Sequence, residues 1–226
     1  MKDLQPFTAE REWTVDGIPV LSAAVSIPQP APCSDRLSRR FFRFYQLQSR
    51  AYLKYCQRDL LPQAAAAYRA ALAISAPLPL FRAELTYQVT FQDSHFLSLY
   101  TQSIESDGQR VWRLRRSDTW DLAGGYPVPL SDFFPSRSPW KRQILELVAE
   151  EIRKQEAAGI AQYHAHRRQE LRRHFNPQNY YLTPEGLSVF FPMYAIAPAS
   201  EGIPAFNIPC DSFRPAGVND TGDPSD

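Results

Sequence analysis

The chain has 226 residues and almost balanced charge, with 25 Lys and Arg against 24 Asp and Glu and a formal net charge of +1. This balance produces no overall field that would draw the protein to nucleic acid or to an anionic membrane, so we expect no nucleic-acid partner. Hydrophobic residues make up 44% of the chain and include 14 Phe and 11 Tyr, which is enough apolar surface for a globular core.

The cysteines and the N-terminal residues indicate in which cellular compartment the protein is expected. Cys33, Cys56 and Cys210 are widely spaced and form no CxxC, so we expect reduced thiols rather than a zinc knuckle or a disulfide framework. No apolar stretch follows the N-terminus, and no apolar run approaches the roughly 18 residues that span a bilayer. These features predict a cytoplasmic protein without a transmembrane segment, and they leave its oligomeric state open.

The first quarter of the chain predicts extended segments followed by a helix. Residues 1–10 are polar, and we expect them to be flexible. Asp16-Gly17 separates two apolar runs, which is typical of a β-hairpin turn. From Ser34, a candidate N-cap, aromatic residues recur at helical spacing, which predicts a core-facing helix or, as an alternative, a surface for a partner helix. Pro62 predicts a kink or a restart before a helix over 63–74.

Residues 80–121 predict a three-stranded antiparallel meander. Apolar residues alternate with polar ones from Leu85 to Phe91, and turn residues separate the later runs. Arginines crowd the last strand together with Trp112 and Trp120. These side chains could bind a carbohydrate, such as a cell-wall fragment, or could form a solvated face that opposes edge pairing.

Two helices are predicted next, over 139–158 and 160–175. On the second, His166, Glu170 and His174 are spaced to share one helical face, and adjacent members could bind a metal ion. The crowded arginines of the same segment oppose a divalent cation, so a metal-binding enzyme remains only an alternative. The tail, 214–226, has little to bury and is predicted to be disordered.

The most specific stretch is 179–209. Residues 180–182 and 187–191 flank Thr183-Pro184-Glu185-Gly186 and predict a hairpin, and a proline-bounded edge strand follows at 205–208. The connection between them, residues 192–203, is longer than most loops in compact domains, and long loops are more often functional.

This stretch contains four motifs in a fixed order: YLTPEGL, FFPMYAIAP, EGIP and FNIP. They resemble the C-terminal signature of the extracytoplasmic domain of RsiV-type anti-sigma factors, which also accompanies PdaC-type peptidoglycan deacetylases. DLAGGYPVPLSDFF, at 121–134, is similar to a second block of that family. The resemblance covers 121–213 and departs in the central hairpin, where residues 103–109 replace a Gly-Gly-Ala-His element.

The resemblance implies recognition of a protein ligand, lysozyme in the RsiV type, and an extracytoplasmic location. The loop expected to bind is 192–202, with Tyr194 as the anchor, Pro192 and Pro198 as stiffening residues, and Gly202 as the family glycine. The deacetylases carry their chemistry in another domain, so we predict a binding protein without catalytic residues, metal or cofactor.

The fold predicted from these elements is α+β. Antiparallel sheets pack against two or three amphipathic helices in one domain, residues 11–213, which has two intertwined lobes.

Overall fold

The computed structural model describes residues 3–165 and 167–209. In this part of the chain it contains two β-sheets and four α-helices, so the α+β class is confirmed. The elements are β1 (Asp3–Val15), β2 (Ile18–Ala31), α1 (Arg36–Tyr55), a π-helical segment (Cys56–Leu60), α2 (Leu61–Ala73), β3 (Phe81–Gln92), β4 (Phe96–Ser106), β5 (Val111–Asp121), β6 (Tyr126–Pro127), a 3₁₀ turn (Leu130–Phe133), α3 (Trp140–Ala157), α4 (Arg167–His174), β7 (Tyr180–Thr183), β8 (Gly186–Phe190), a 3₁₀ turn (Ala199–Glu201) and β9 (Ala205–Pro209).

The chain divides into two compact units that follow one another in sequence, Met1–Tyr126 and Pro127–Asp226. The larger sheet has the strand order β1-β2-β3-β4-β5-β6, and the smaller one has the order β7-β8-β9. None of the described helices combines the length and the apolar character needed to cross a membrane. The predicted disordered tail and Cys210 lie outside the described residues.

The first hairpin is longer than the sequence predicts. Asp16 and Gly17 both have positive φ, 52° and 78°, and form the two-residue turn expected between β1 and β2. The prediction of a flexible segment over 1–10 is wrong for residues 3–10, which pair with 24–31 of β2. Most side chains in this half of β1 are exposed, so its sequence lacks the alternation that marks a half-buried strand.

A helical crossover connects β2 to β3, which makes these two strands parallel, from Leu21 opposite Phe81 to Val25 opposite Leu85. All other described pairings in both sheets are antiparallel, as predicted. Asp35 rather than Ser34 caps α1, since its carboxylate accepts hydrogen bonds from the Ser38 amide and hydroxyl. These bonds lower the pKa of Asp35.

Pro62 marks the restart that the sequence predicts, since the α-helix resumes there after a π-helical interruption. It lies in the first turn of α2, directly after the π-helical segment, where the Leu61 amide donates to the Cys56 carbonyl. The wider π-helical turn accommodates the proline. Proline is tolerated in the first turn of a helix, because an N–H there has no partner within the helix. The Gln63 side chain donates to the Asp59 carbonyl and satisfies one acceptor left by the interruption.

The aromatic stripe of α1 packs into the core of the first unit, as the first of its two predicted roles requires. Phe41 and Tyr45 are fully buried, and their rings lie 5.3 and 6.4 Å from the ring of Trp120 on β5. Apolar residues of β2, β3 and β4 complete this cluster: Val25, Ile27, Leu85, Leu97 and Leu99. A second cluster lies under α2 and contains Cys56, a free thiol whose burial raises its pKa to about 12.

A buried polar chain crosses the aromatic cluster. The Trp120 indole N–H donates to the Tyr45 hydroxyl, 3.1 Å away, and that hydroxyl donates to Asp118 Oδ2 at 3.1 Å. Burial raises the pKa of Asp118 to about 6, although the Tyr45 hydrogen bond and the Arg116 charge oppose this effect. The sequence analysis missed this chain, because its members are 73 and 75 positions apart.

Asp118→Asn is expected to remove a pH dependence of stability. The folded pKa lies above the unfolded value of 3.8, so the folded state holds this proton more tightly and stability falls as pH rises from about 4 to about 6. In guanidinium titrations, the free energy of unfolding of the variant relative to the native protein should rise across this window by about 1–3 kcal/mol, at about 1.4 kcal/mol per unit of pKa difference. A pH-independent difference would contradict the raised pKa.

The second unit confirms the predicted hairpin and edge strand. Thr183 pairs with Gly186 across the two-residue turn between β7 and β8, and β9 pairs with β8 from Ala205 to Pro209. The Tyr180 hydroxyl donates to the Val128 carbonyl, which ties β7 to the segment that follows β6. One face of α3, with Ile144, Val148 and Ile152, is fully buried.

The helix predicted over 160–175 is shorter, since α4 begins at Arg167. Gly159 has a φ of +66° and ends α3, after which residues 160–164 are not helical. The amides of Gln162 and His164 donate instead to residues 201 and 196. These bonds link the 160–164 segment to the 192–202 loop.

Candidate functional site

The 192–202 loop leaves the small sheet at β8 and returns to it at β9. Its ends are held together, because the Phe191 amide donates to the Pro204 carbonyl at 2.9 Å. The Phe191 ring is buried and packs edge to face on Phe206, with 5.9 Å between the ring centroids. The loop is therefore anchored in the core of the second unit at its base.

A tight turn opens the loop and presents Tyr194. The Ala195 amide donates to the Pro192 carbonyl at 3.0 Å, which closes a β-turn over Met193 and Tyr194. Tyr194 has a φ of +68°, in the left-handed region that costs a non-glycine residue about 1–2 kcal/mol. Its side chain is 55% exposed. Tyr194 is therefore not a core residue.

The residues after Tyr194 fix the turn in place. Ala195, Ile196 and Ala197 are buried, and Ile196 is fully so. The Ile196 carbonyl accepts from the His164 amide at 2.9 Å. Because the turn is closed by a hydrogen bond on one side of Tyr194 and buried on the other, the exposed ring is carried by a rigid backbone.

The second half of the loop is a 3₁₀ turn that begins at Pro198 and ends at Gly202. Glu201 Oε1 accepts from the Gln162 amide at 3.3 Å. Gly202 has φ +67° and ψ −122°, a conformation open essentially to glycine alone, so this glycine is required by the backbone. The predicted site residues Pro192, Pro198 and Gly202 therefore shape the loop, and Tyr194 projects from it.

Three carboxylates lie near Tyr163 in the neighbouring segment. Tyr163 donates from its hydroxyl to Gln155 Oε1, and its ring lies 6.1 Å from that of Phe206. Partial burial raises the pKa of Tyr163 to about 12, with further contributions from the negative charges of Glu201, Glu151 and Glu156. Glu201 of the loop and Glu151 and Glu156 of α3 thus place negative charge near Tyr163. Sequence reasoning missed this segment, because it predicted a helix there.

The carbohydrate alternative is wrong in its use of Trp120. This side chain is 1% exposed and lies in the aromatic cluster of the first unit, whereas Trp112 on the same strand is 41% exposed. One arginine of the strand is also engaged, since Arg115 stacks over the Tyr100 ring and donates to Gln102. The structure does not bring two tryptophans to one platform.

The histidine segment forms a pair in the described residues. His174 Nε2 lies 3.1 Å from Glu170 Oε2, and both side chains are partly buried. His166, the third member of the predicted set, lies outside the described residues. Among residues 3–165 and 167–209, no three His, Cys, Asp or Glu side chains come together as metal ligands.

Comparisons with known proteins agree with the fold. Residues 131–211 match the family model DUF3298, described as a protein of unknown function. A member of that family from Bacteroides fragilis has a similar crystal structure, with a TM-score of 0.65, 15% identity, and coverage of 92% of this chain and 90% of its own. A DUF3298 protein from Pseudomonas aeruginosa is similar with a TM-score of 0.60, 16% identity and 95% coverage of both chains.

No curated protein matches the chain. The match to the family model contains the whole 192–202 loop and the small sheet that carries it. The chain therefore has the fold of the solved DUF3298 structures, and its residues 131–211 match the model of the DUF3298 domain.

Proposed function

We propose that this protein is a non-catalytic binding domain that recognises a protein ligand of the lysozyme type through the 192–202 loop. The observation that carries the proposal is the exposed ring of Tyr194, held in a left-handed turn directly before three buried residues. Backbone strain of this kind persists where the surrounding structure enforces it, and it concentrates at binding sites.

The physical properties of Tyr194 suit an interface. A tyrosine offers a large apolar ring and a hydroxyl at low cost in side-chain entropy, and such residues are frequent among those that dominate binding energy. Because the backbone of the loop is already fixed by its hydrogen bonds to Pro192 and His164, little ordering is left to oppose association.

The charge beside the loop favours a basic ligand. Glu201 belongs to the loop itself, and Glu151 and Glu156 lie near enough to raise the pKa of Tyr163. Carboxylates at the rim of an interface accelerate the association of a positively charged partner and add salt dependence. A basic protein that accepts the Tyr194 ring is the ligand that this surface suits.

The test is biolayer interferometry of the purified protein against C-type lysozyme at moderate salt. We expect saturable binding that Tyr194→Ala weakens by about 30-fold or more, the effect of losing a residue worth about 2 kcal/mol. The variant should unfold within about 0.5 kcal/mol of the native protein, because the lost side chain is exposed.

Tyr126→Ala is the matched control, since Tyr126 is 48% exposed but lies outside the loop. It should bind as the native protein does. Absence of saturable binding up to about 0.1 mM, which corresponds to less than about 5.5 kcal/mol of affinity, would overturn recognition of this ligand.

A further inference from the structure

The outer edge of β5 is open along its first half. In the six-stranded sheet β5 lies between β4 and the two-residue strand β6. The connection from β5 to β6 spans only residues 122–125, and the Gly125 amide donates to the Asp121 carbonyl, so β6 returns beside the end of β5. No strand in the described part of the chain covers the outer side of residues 111–116.

The helix that covers the sheet also leaves this half of β5 free. At its middle α1 lies over β5, where Tyr45 contacts Asp118. About two to three turns later it lies over β3 and β4, where Tyr52 donates to the Glu84 carbonyl and Tyr55 to the Glu105 side chain. The helix therefore crosses away from β5 as it proceeds.

Apolar side chains lie on the face that α1 leaves uncovered. Trp112 pairs with Glu105, and Leu114 with Ser103, so both share the face to which Tyr55 binds. Trp112 is 41% exposed and Leu114 is 52% exposed. Charged residues, prolines, bulges or a covering element usually protect a free edge, and exposed apolar residues beside it favour pairing with another strand.

The charge of the same half-strand restricts the partner. Residues 110–116 contain four arginines and no acidic residue. Arg110, Arg113 and Arg116 are exposed. On the helix face, Glu105 accepts from the Tyr55 hydroxyl and Asp118 from the Tyr45 hydroxyl, and Asp107 of the β4–β5 turn is the carboxylate beside Arg110. An acidic segment is attracted to this edge, and a basic one is repelled.

We infer that the open edge of β5 binds an extended, acidic peptide segment of another protein as an additional antiparallel or parallel strand. Main-chain hydrogen bonds to residues 111–116 supply affinity that does not depend on the peptide sequence. Trp112 and Leu114 pack against alternate side chains of the peptide and supply specificity. This surface is on the first unit and is separate in sequence from the 192–202 loop of the second.

The probe is a fluorescein-labelled octapeptide in which glutamate alternates with valine, followed by fluorescence polarisation. We expect saturable binding that weakens with salt, and at least about tenfold weaker binding of the peptide in which lysine replaces glutamate. N-methylation of one alternate set of amides should abolish binding, and methylation of the other set should be tolerated, because only one set faces β5.

Trp112→Thr should weaken binding of the glutamate peptide by about tenfold or more, whereas Ile18→Thr should not, although Ile18 is 41% exposed as well. Equal binding of both N-methylated peptides would mean charge attraction without strand addition and would overturn the inference. So would a native dimer that Trp112→Thr converts to a monomer in sedimentation, since the edge would then be occupied by a second copy of the chain.

Discussion

Trp120→Ala is expected to lower the free energy of unfolding by about 3–5 kcal/mol, the usual cost of truncating a buried tryptophan. The ring lies at the centre of the aromatic cluster, 5.3 Å from Phe41 and 5.4 Å from Phe44 between ring centroids. The substitution also removes the indole N–H that donates to the Tyr45 hydroxyl. That hydroxyl then loses one of its two buried partners, which adds to the cavity cost.

Trp112→Ala is the matched control, because both tryptophans belong to β5 and share one of its faces. Trp112 is 41% exposed, so its loss should cost no more than about 1 kcal/mol. Urea titrations followed by far-UV circular dichroism give both values, and hydrogen exchange should locate the loss of protection in β4 and β5. Equal destabilisation by the two substitutions would contradict the position of α1 over the sheet.

This pair also marks the limit of prediction from the sequence. Strand alternation correctly predicts β3 and the meander, because Leu85, Tyr87 and Val89 repeat at a period of two residues. The same alternation predicts equal burial for Trp112 and Trp120, since both have even positions on β5 and so lie on the same face. Only the path of α1 across the sheet distinguishes them, and that path depends on contacts more than 70 positions apart in sequence.

Local signals were sufficient where a turn determines the structure. Asp16-Gly17 predicts its hairpin because few residues accept the positive φ of that turn, and Pro184 predicts the second because its ring presets the turn backbone. They were insufficient at residues 160–164, where the sequence favours a helix but amides donate to Glu201 and Ile196. The length and proline content of the 192–202 loop single it out in the sequence, but they do not predict that Ile196 is its buried anchor.

Ile196→Ala is expected to lower the free energy of unfolding of the second unit by about 2–5 kcal/mol. The side chain is fully buried, so the smaller alanine leaves a cavity in the core. Since Ile196 accepts from the His164 amide, loss of its packing should also loosen that bond. Hydrogen exchange should report faster exchange at the His164 and Ala195 amides, and thermal unfolding should occur at a lower temperature.

Tyr194→Ala, two positions away, separates the exposed ring of the loop from the rigidity of its backbone. It should leave the exchange of His164 and Ala195 unchanged while removing the exposed ring, so it tests contact alone. Ile196→Ala keeps the ring and removes the support, so any loss of ligand binding below its unfolding temperature measures the contribution of a fixed loop backbone. If Ile196→Ala were as stable as the native protein, the loop would not be anchored by this residue, and the rigidity of the Tyr194 turn would have to come from its hydrogen bonds alone.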